Sequence, residues 1–89
     1  MSANAYVDGN AVIGALSLAL GVDAGRAALT CAACGDHHAV AQTRVYRRCP
    51  GMVLRCPGCG GAEIVLIEIG RRFELTLTGT ARLDLVASP

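Results

Sequence analysis

The chain has 89 residues, 53% of them hydrophobic, and a formal net charge of +1. That describes one small domain (1–89) whose core is marginal alone, where a structural metal is a common remedy. Lysine is absent, all eight basic residues are arginine, and alanine and glycine abound, a composition typical of a high-GC, bacterial genome.

Residues 1–8 read as flexible. The apolar run at 11–22 has no positive residue before it, so a signal peptide is not expected. Twelve residues are also too few to cross a bilayer as a helix. A cytoplasmic location is expected, with no membrane contact. The run predicts a helix over 9–20, with Asp8 as N-cap and Gly21 as stop. Val12, Ile13, Leu16 and Leu20 form one apolar stripe, and Ala11, Ala15, Leu18 and Ala19 occupy the opposite side. A helix apolar nearly all round is usually buried on more than one side. The second face is therefore the candidate protein interface, toward a second copy or a larger partner. Gly14, inside the helix, suggests close packing or compositional drift.

Residues 21–30 read as a connector and 39–48 as a strand. Pro50-Gly51 makes a turn, and 52–55 returns. EIVLIEI at 63–69 is a further strand. Gly70-Arg71 is a hairpin turn with glycine first, and 72–78 alternates, with Phe73, Leu75 and Leu77 on one face. Gly79-Thr80 turns again, and 81–86 alternates with Leu83 and Leu85 inward. The expected fold class is a small metal-stabilised α+β domain, a zinc ribbon. Its parts are a metal-binding hairpin over 31–59, a three-stranded meander over 62–86, and an N-terminal helix covering the meander.

The strongest signal is a repeated Cys-x-x-Cys-Gly turn, at Cys31/Cys34 and Cys56/Cys59, with 21 residues between the pairs. Each turn points two thiolates inward, and the glycine tolerates unusual backbone angles. Four thiolates fill a tetrahedral site, and the spacing lies close to the C-x₂-C-x₁₅₋₂₀-C-x₂-C zinc pattern. One structural Zn²⁺ is expected, with iron as the alternative, since tetrahedral S₄ suits both. Two disulfides are disfavoured in a reducing cytosol. Redox-active C-x-x-C chemistry lacks its βαβ context. A catalytic zinc site would keep an open position that four cysteines close.

The second turn, Cys56-Pro57-Gly58-Cys59-Gly60, resembles the C-P-x-C-G turn of rubredoxins, which hold one iron in four cysteines for electron transfer. The aromatic core of rubredoxins has no counterpart in a chain with only Phe73, Tyr6, Tyr46 and no tryptophan. DGNAVIGAL, CAACG and VYRRCPGMVLRCPGCGG, followed by a strand-rich tail, are similar over nearly the whole chain to a family of small actinobacterial proteins. The most specific piece is Pro50 to Cys59. The resemblance implies a zinc ribbon, no catalytic residue and no established activity. It also implies a place beside flavin- or molybdenum-dependent oxidoreductases.

Between His37 and Ala62 there are four arginines, Arg44, Arg47, Arg48 and Arg55, and no acid. They are candidate phosphate contacts, or a solvated strand face. His37 and His38 read as solvated loop residues, with alternative metal ligands as the sharper option. Cys49, at the hairpin tip, reads as a free thiol. No general acid–base pair, nucleophile constellation or phosphate loop is visible, so the chain is not expected to be an enzyme or to take a small-molecule substrate. The leading expectation is a zinc-stabilised, non-catalytic interaction or accessory module. An electron carrier and a nucleic-acid-, ribosome- or RNA-polymerase-associated ribbon are the alternatives.

Overall fold

The structure is a computed structural model that describes residues 7–48 and 51–86. The helix begins later than the sequence suggests. Val7–Asp8 form a short strand, β1, and Gly9–Ala11 a 3₁₀ turn, before α1 runs over Ile13–Leu20. Val12, not Asp8, is the N-cap, and it offers no side-chain bond. Asp8 is instead held in the ladder opposite Arg44. The tight turn brings Gly9 so close to the Val40 carbonyl that a Cβ at Gly9 would overlap it. The predicted stop holds: Gly21 sits at φ 72° and its N–H donates to the Ser17 carbonyl at 2.9 Å. Ser17, the polar side chain of α1, accepts from the Ala24 N–H at 2.9 Å and ties the helix to the next turn.

The expected connector contains a strand. β2 (Ala28–Cys31) pairs antiparallel with β3 (His37–Ala39). The expected strand over 39–48 is broken by a 3₁₀ turn at Val40–Gln42. The Gln42 side chain accepts from the Ala39 N–H at 2.9 Å, and the Thr43 hydroxyl donates to the Val40 carbonyl at 2.7 Å. These local bonds compete with ladder bonds, and β4 starts only at Arg44 (Arg44–Arg48). β5 (Gly51–Arg55), β6 (Ala62–Ile69) and β7 (Arg72–Thr76) follow, with Gly70 at φ 60° in the predicted hairpin turn.

β8 (Thr80–Asp84) corrects the expected meander. It leaves β7 and pairs antiparallel with β2 in a second sheet. The sheets are therefore β1-β4-β5-β6-β7 and β3-β2-β8. Leu77, expected on one face with Phe73 and Leu75, and Leu85, expected inward, lie just past the ends of β7 and β8 and are exposed. One aliphatic core spans both sheets and the helix: Val12, Leu16, Leu29, Val40, Val45, Leu54, Ile64 and Leu66 are buried together. The small α+β architecture and antiparallel sheets match expectation, and their connection does not. Among the described residues no helix is long and apolar enough to cross a membrane.

Gly79 joins the sheets. Its N–H donates to the Glu63 carbonyl at 3.0 Å, and its carbonyl accepts from the Ala32 N–H at 2.9 Å. A Cβ there would overlap the Ala62 carbonyl. Gly14 is the opposite case, exposed with nothing near its Cβ position, so close packing does not explain it. Gly79→Ala is expected to lower stability by about 1–3 kcal/mol through overpacking. Gly14→Ala is expected to raise it by up to about 1 kcal/mol through helix propensity. Urea denaturation of the two variants checks both signs.

Candidate metal centre

Cys31 ends β2, and Cys56 follows β5 directly, so each turn starts from a strand of a different sheet. The two turns repeat one bonding pattern. Gly35 N–H donates to the Cys31 carbonyl and Gly60 N–H to the Cys56 carbonyl, both at 2.9 Å. Cys31 N–H donates to the Asp36 carbonyl and Cys56 N–H to the Gly61 carbonyl, again both at 2.9 Å. Gly35 (φ 77°) and Gly60 (φ 78°) hold the left-handed angle that closes each turn; most other residues would be strained there.

The four sulfurs lie within 4.8 Å of one another, with Cys31 to Cys59 and Cys34 to Cys56 at 3.7 Å. A disulfide needs about 2.05 Å, and all four are free thiols. A tetrahedron with Zn–S bonds of about 2.3 Å has S···S edges of about 3.8 Å. The cluster fits a tetrahedral ion. Gly58 N–H donates to Cys56 Sγ at 3.3 Å and Gly61 N–H to Cys59 Sγ at 3.4 Å.

The thiols do not titrate alike. The Cys34 N–H, foremost among the donors, holds Cys31 down at about 7 despite opposing desolvation. Cys34 receives the Asp36 N–H, but desolvation and the neighbouring thiols of Cys56, Cys31 and Cys59 push it up to about 12. Burial raises Cys56. Four thiols this close resist sharing negative charge. A cation would remove that resistance, since metal binding displaces the protons.

His38 corrects the solvated-loop reading. It is 5% exposed and bridges two carboxylates. Its Nε2 lies 2.8 Å from Glu63 Oε1, and its Nδ1 lies 3.0 Å from Asp36 Oδ2. Glu63 is fully buried because the β5–β6 register shifts beside it: Leu54 faces Ile64 but Arg55 faces Ala62. The extra residue is a β-bulge, which re-aims a side chain. Glu63 and Ile64 are consequently both buried. Burial pushes the Glu63 carboxyl above its usual range, and His38 opposes the shift. Glu63 Oε2 has no hydrogen-bond partner. His37 is exposed, and its Nδ1 lies 3.0 Å from the Thr30 hydroxyl. The acid opening the apolar run EIVLIEI was the available signal for this pair.

The candidate arginines do not form one surface. Register places Arg44 opposite Arg55 on one face of the hairpin, while Arg47, two residues from buried Val45, lies on the other. Arg48, opposite Gly51 at the hairpin's far end, falls in register on the face of Arg44 and Arg55, which leaves Arg47 as the one on the other face. The Arg55 guanidinium lies 5.5 Å from the Tyr46 ring centroid and donates to the Gly60 carbonyl at 3.0 Å, bracing the second turn. On the helix, Ala11 and Leu18 are exposed, whereas Ala15 and Ala19 are half-buried against the core. Cys49 and the turn at Pro50 lie outside the described residues.

Removing one partner from a buried ionic pair strands the other. His38→Ala is therefore expected to cost about 3–5 kcal/mol. The double variant His38→Leu/Glu63→Leu should cost much less than the two single changes summed. A double-mutant cycle in urea measures that coupling; additivity of the two single changes would contradict it.

The family model described as "Family of unknown function (DUF6510)" matches residues 3–88. No match was found among curated proteins or among solved structures. A match over nearly the whole length is decisive for membership: the chain belongs to the DUF6510 family, whose function is unknown.

Proposed function

We propose that this chain is a non-catalytic, zinc-stabilised interaction module, in which Cys31, Cys34, Cys56 and Cys59 hold one structural Zn²⁺ and the outer face of α1 contacts a protein partner or a second copy. The observation that carries the contact is Leu18, 75% exposed on a helix whose other side, Val12 and Leu16, is sealed in the core. Covering such a side chain contributes about 1.5–3 kcal/mol relative to leaving it in water. Zinc suits the site because four thiolates close the coordination sphere and leave no position for substrate. Reduced thiols are what a cytoplasmic protein would offer.

An electron carrier with iron in the same site is the second reading. It is favoured by the outward position of Cys34 and Cys59, both exposed, which would give an electron a short path to the surface. Elemental analysis and a visible spectrum of protein from its native host separate the two metals. Nucleic-acid binding has weaker grounds, because Arg55 is engaged with Tyr46 and Gly60, and Arg44 and Arg47 point to opposite faces.

The unfolded chain has no assembled site, so metal affinity becomes folding free energy. Cys56→Ser is expected to lose the metal and melt well below wild type, and a chelator should lower the wild-type melting temperature in the same way. Cys49→Ser, outside both Cys-x-x-Cys turns, should keep both metal and melting temperature. A Cys56→Ser protein with full metal content would reject the site.

The partner surface has a separate test. Leu18→Glu should abolish self-association in sedimentation, or capture of a specific partner from the native host, while leaving metal content and melting temperature unchanged. A wild-type chain that stays monomeric and captures nothing would end the interaction reading.

A further inference from the structure

Beside the four sulfurs lies a second group of metal-ligating side chains. A ligand atom from each of Asp36, His38 and Cys56 lies within 4.8 Å of the others. We propose that these three form a second divalent-metal site, bridged to the four-sulfur site by the Cys56 thiolate. The inference rests on the four-thiolate reading above, since Cys56 belongs to both sites.

Three features carry it. The first is donor type: one thiolate, one imidazole and one carboxylate suit zinc or a similar borderline divalent ion. Three protein donors leave one position for water, as in open zinc sites. The second is the setting of His38. A metal-ligating histidine almost always donates its other ring N–H to a carboxylate or carbonyl, which fixes the ring and its tautomer. Here Nε2 meets the fully buried Glu63 at 2.8 Å, leaving Nδ1 to face Asp36 Oδ2 at 3.0 Å. A cation bound by Nδ1 and Oδ2 would take the place of the contact that now joins them. The third is Glu63 itself, whose Oε2 is buried without a hydrogen-bond partner. This buried carboxylate fixes the imidazole ring that would carry the ligand atom.

The spacing allows closure. Donors at most this far apart surround a point about 2.8 Å from each, and zinc bonds of about 2.0–2.3 Å need roughly half an ångström of movement per donor. Asp36 can supply much of it, because its side chain is 47% exposed. Charge also favours a second ion. Four thiolates around one divalent ion keep a net charge of about −2, and nearby cations stabilise such anions.

The test is a zinc titration of the metal-free full chain, followed by native mass spectrometry, with Co²⁺ absorption as a parallel readout. Wild type is expected to take up two ions, the second at weaker affinity. Asp36→Asn and His38→Ala should each take up one, and a second Co²⁺ phase should vanish or weaken at least tenfold. Asp36→Asn alters an exposed side chain and decides the question even where His38→Ala fails to fold. Saturation of wild type at one ion overturns this inference and leaves the four-thiolate site standing. Two ions in Asp36→Asn as well would place the second ion elsewhere and also overturn it. No bound ion would overturn both sites.

Discussion

Four sulfur atoms from two different sheets have to meet at one point, and much of the chain's path follows from that constraint. Cys31 comes from the end of β2 and Cys56 from the end of β5. Neither sheet alone brings the two turns together. The segment that does is the loop at Gly79, bonded to Ala32 in the first turn and to Glu63 beside the second. From there β8 runs back along β2 instead of continuing past β7. The second sheet can thus be read as a support for the first turn. It costs the chain a long-range pairing, and it fixes the first turn against the second.

The buried polar chain is a product of the same junction. A bulge beside Leu54 turns Glu63 inward at the seam between the sheets, where His38 arrives on β3. An unpaired carboxylate there would be costly. Paired, it links the start of β6 to the segment that follows the first turn. Asp36 serves that turn twice, accepting from Cys31 through its backbone carbonyl and meeting His38 through its side chain. Aliphatic burial and polar bonding meet within one short stretch, since Ile64 enters the core right after Glu63.

What could be read from the sequence was local. A Cys-x-x-Cys-Gly turn contains its own geometry within five residues, so both turns and their glycines were legible. The strand at 63–69 and the Gly70 turn were legible for the same reason. Alternation in 81–86 showed that the segment was a strand, but a period of two names a face and not a neighbour. Pairing of β8 with β2 depends on residues about fifty positions away, beyond any local pattern. His38 was misread because two histidines after a tight turn look like solvated loop, and its partner Glu63 is displaced by a bulge that composition does not announce. The helix start was misplaced because Asp8 has cap chemistry, yet the β1–β4 ladder claims its backbone.

The same locality reinterprets the arginine-rich hairpin. Counted along the chain, four arginines without an acid suggest a grip on phosphate. Placed in the sheet, they divide between two faces, and the one beside the metal centre is already engaged. Arg55 precedes Cys56, stacks on Tyr46 and holds the Gly60 carbonyl that ends the second turn. Such a cation–π contact contributes about 0.5–1 kcal/mol at an exposed site. A guanidinium also keeps its charge at any physiological pH, so Arg55 carries a positive charge at the turn that holds Cys56 and Cys59. A positive charge there favours the deprotonated sulfurs that a metal ion needs. The place of Arg55 is thus explained by Tyr46 and the second turn, and it needs no nucleic acid to explain it.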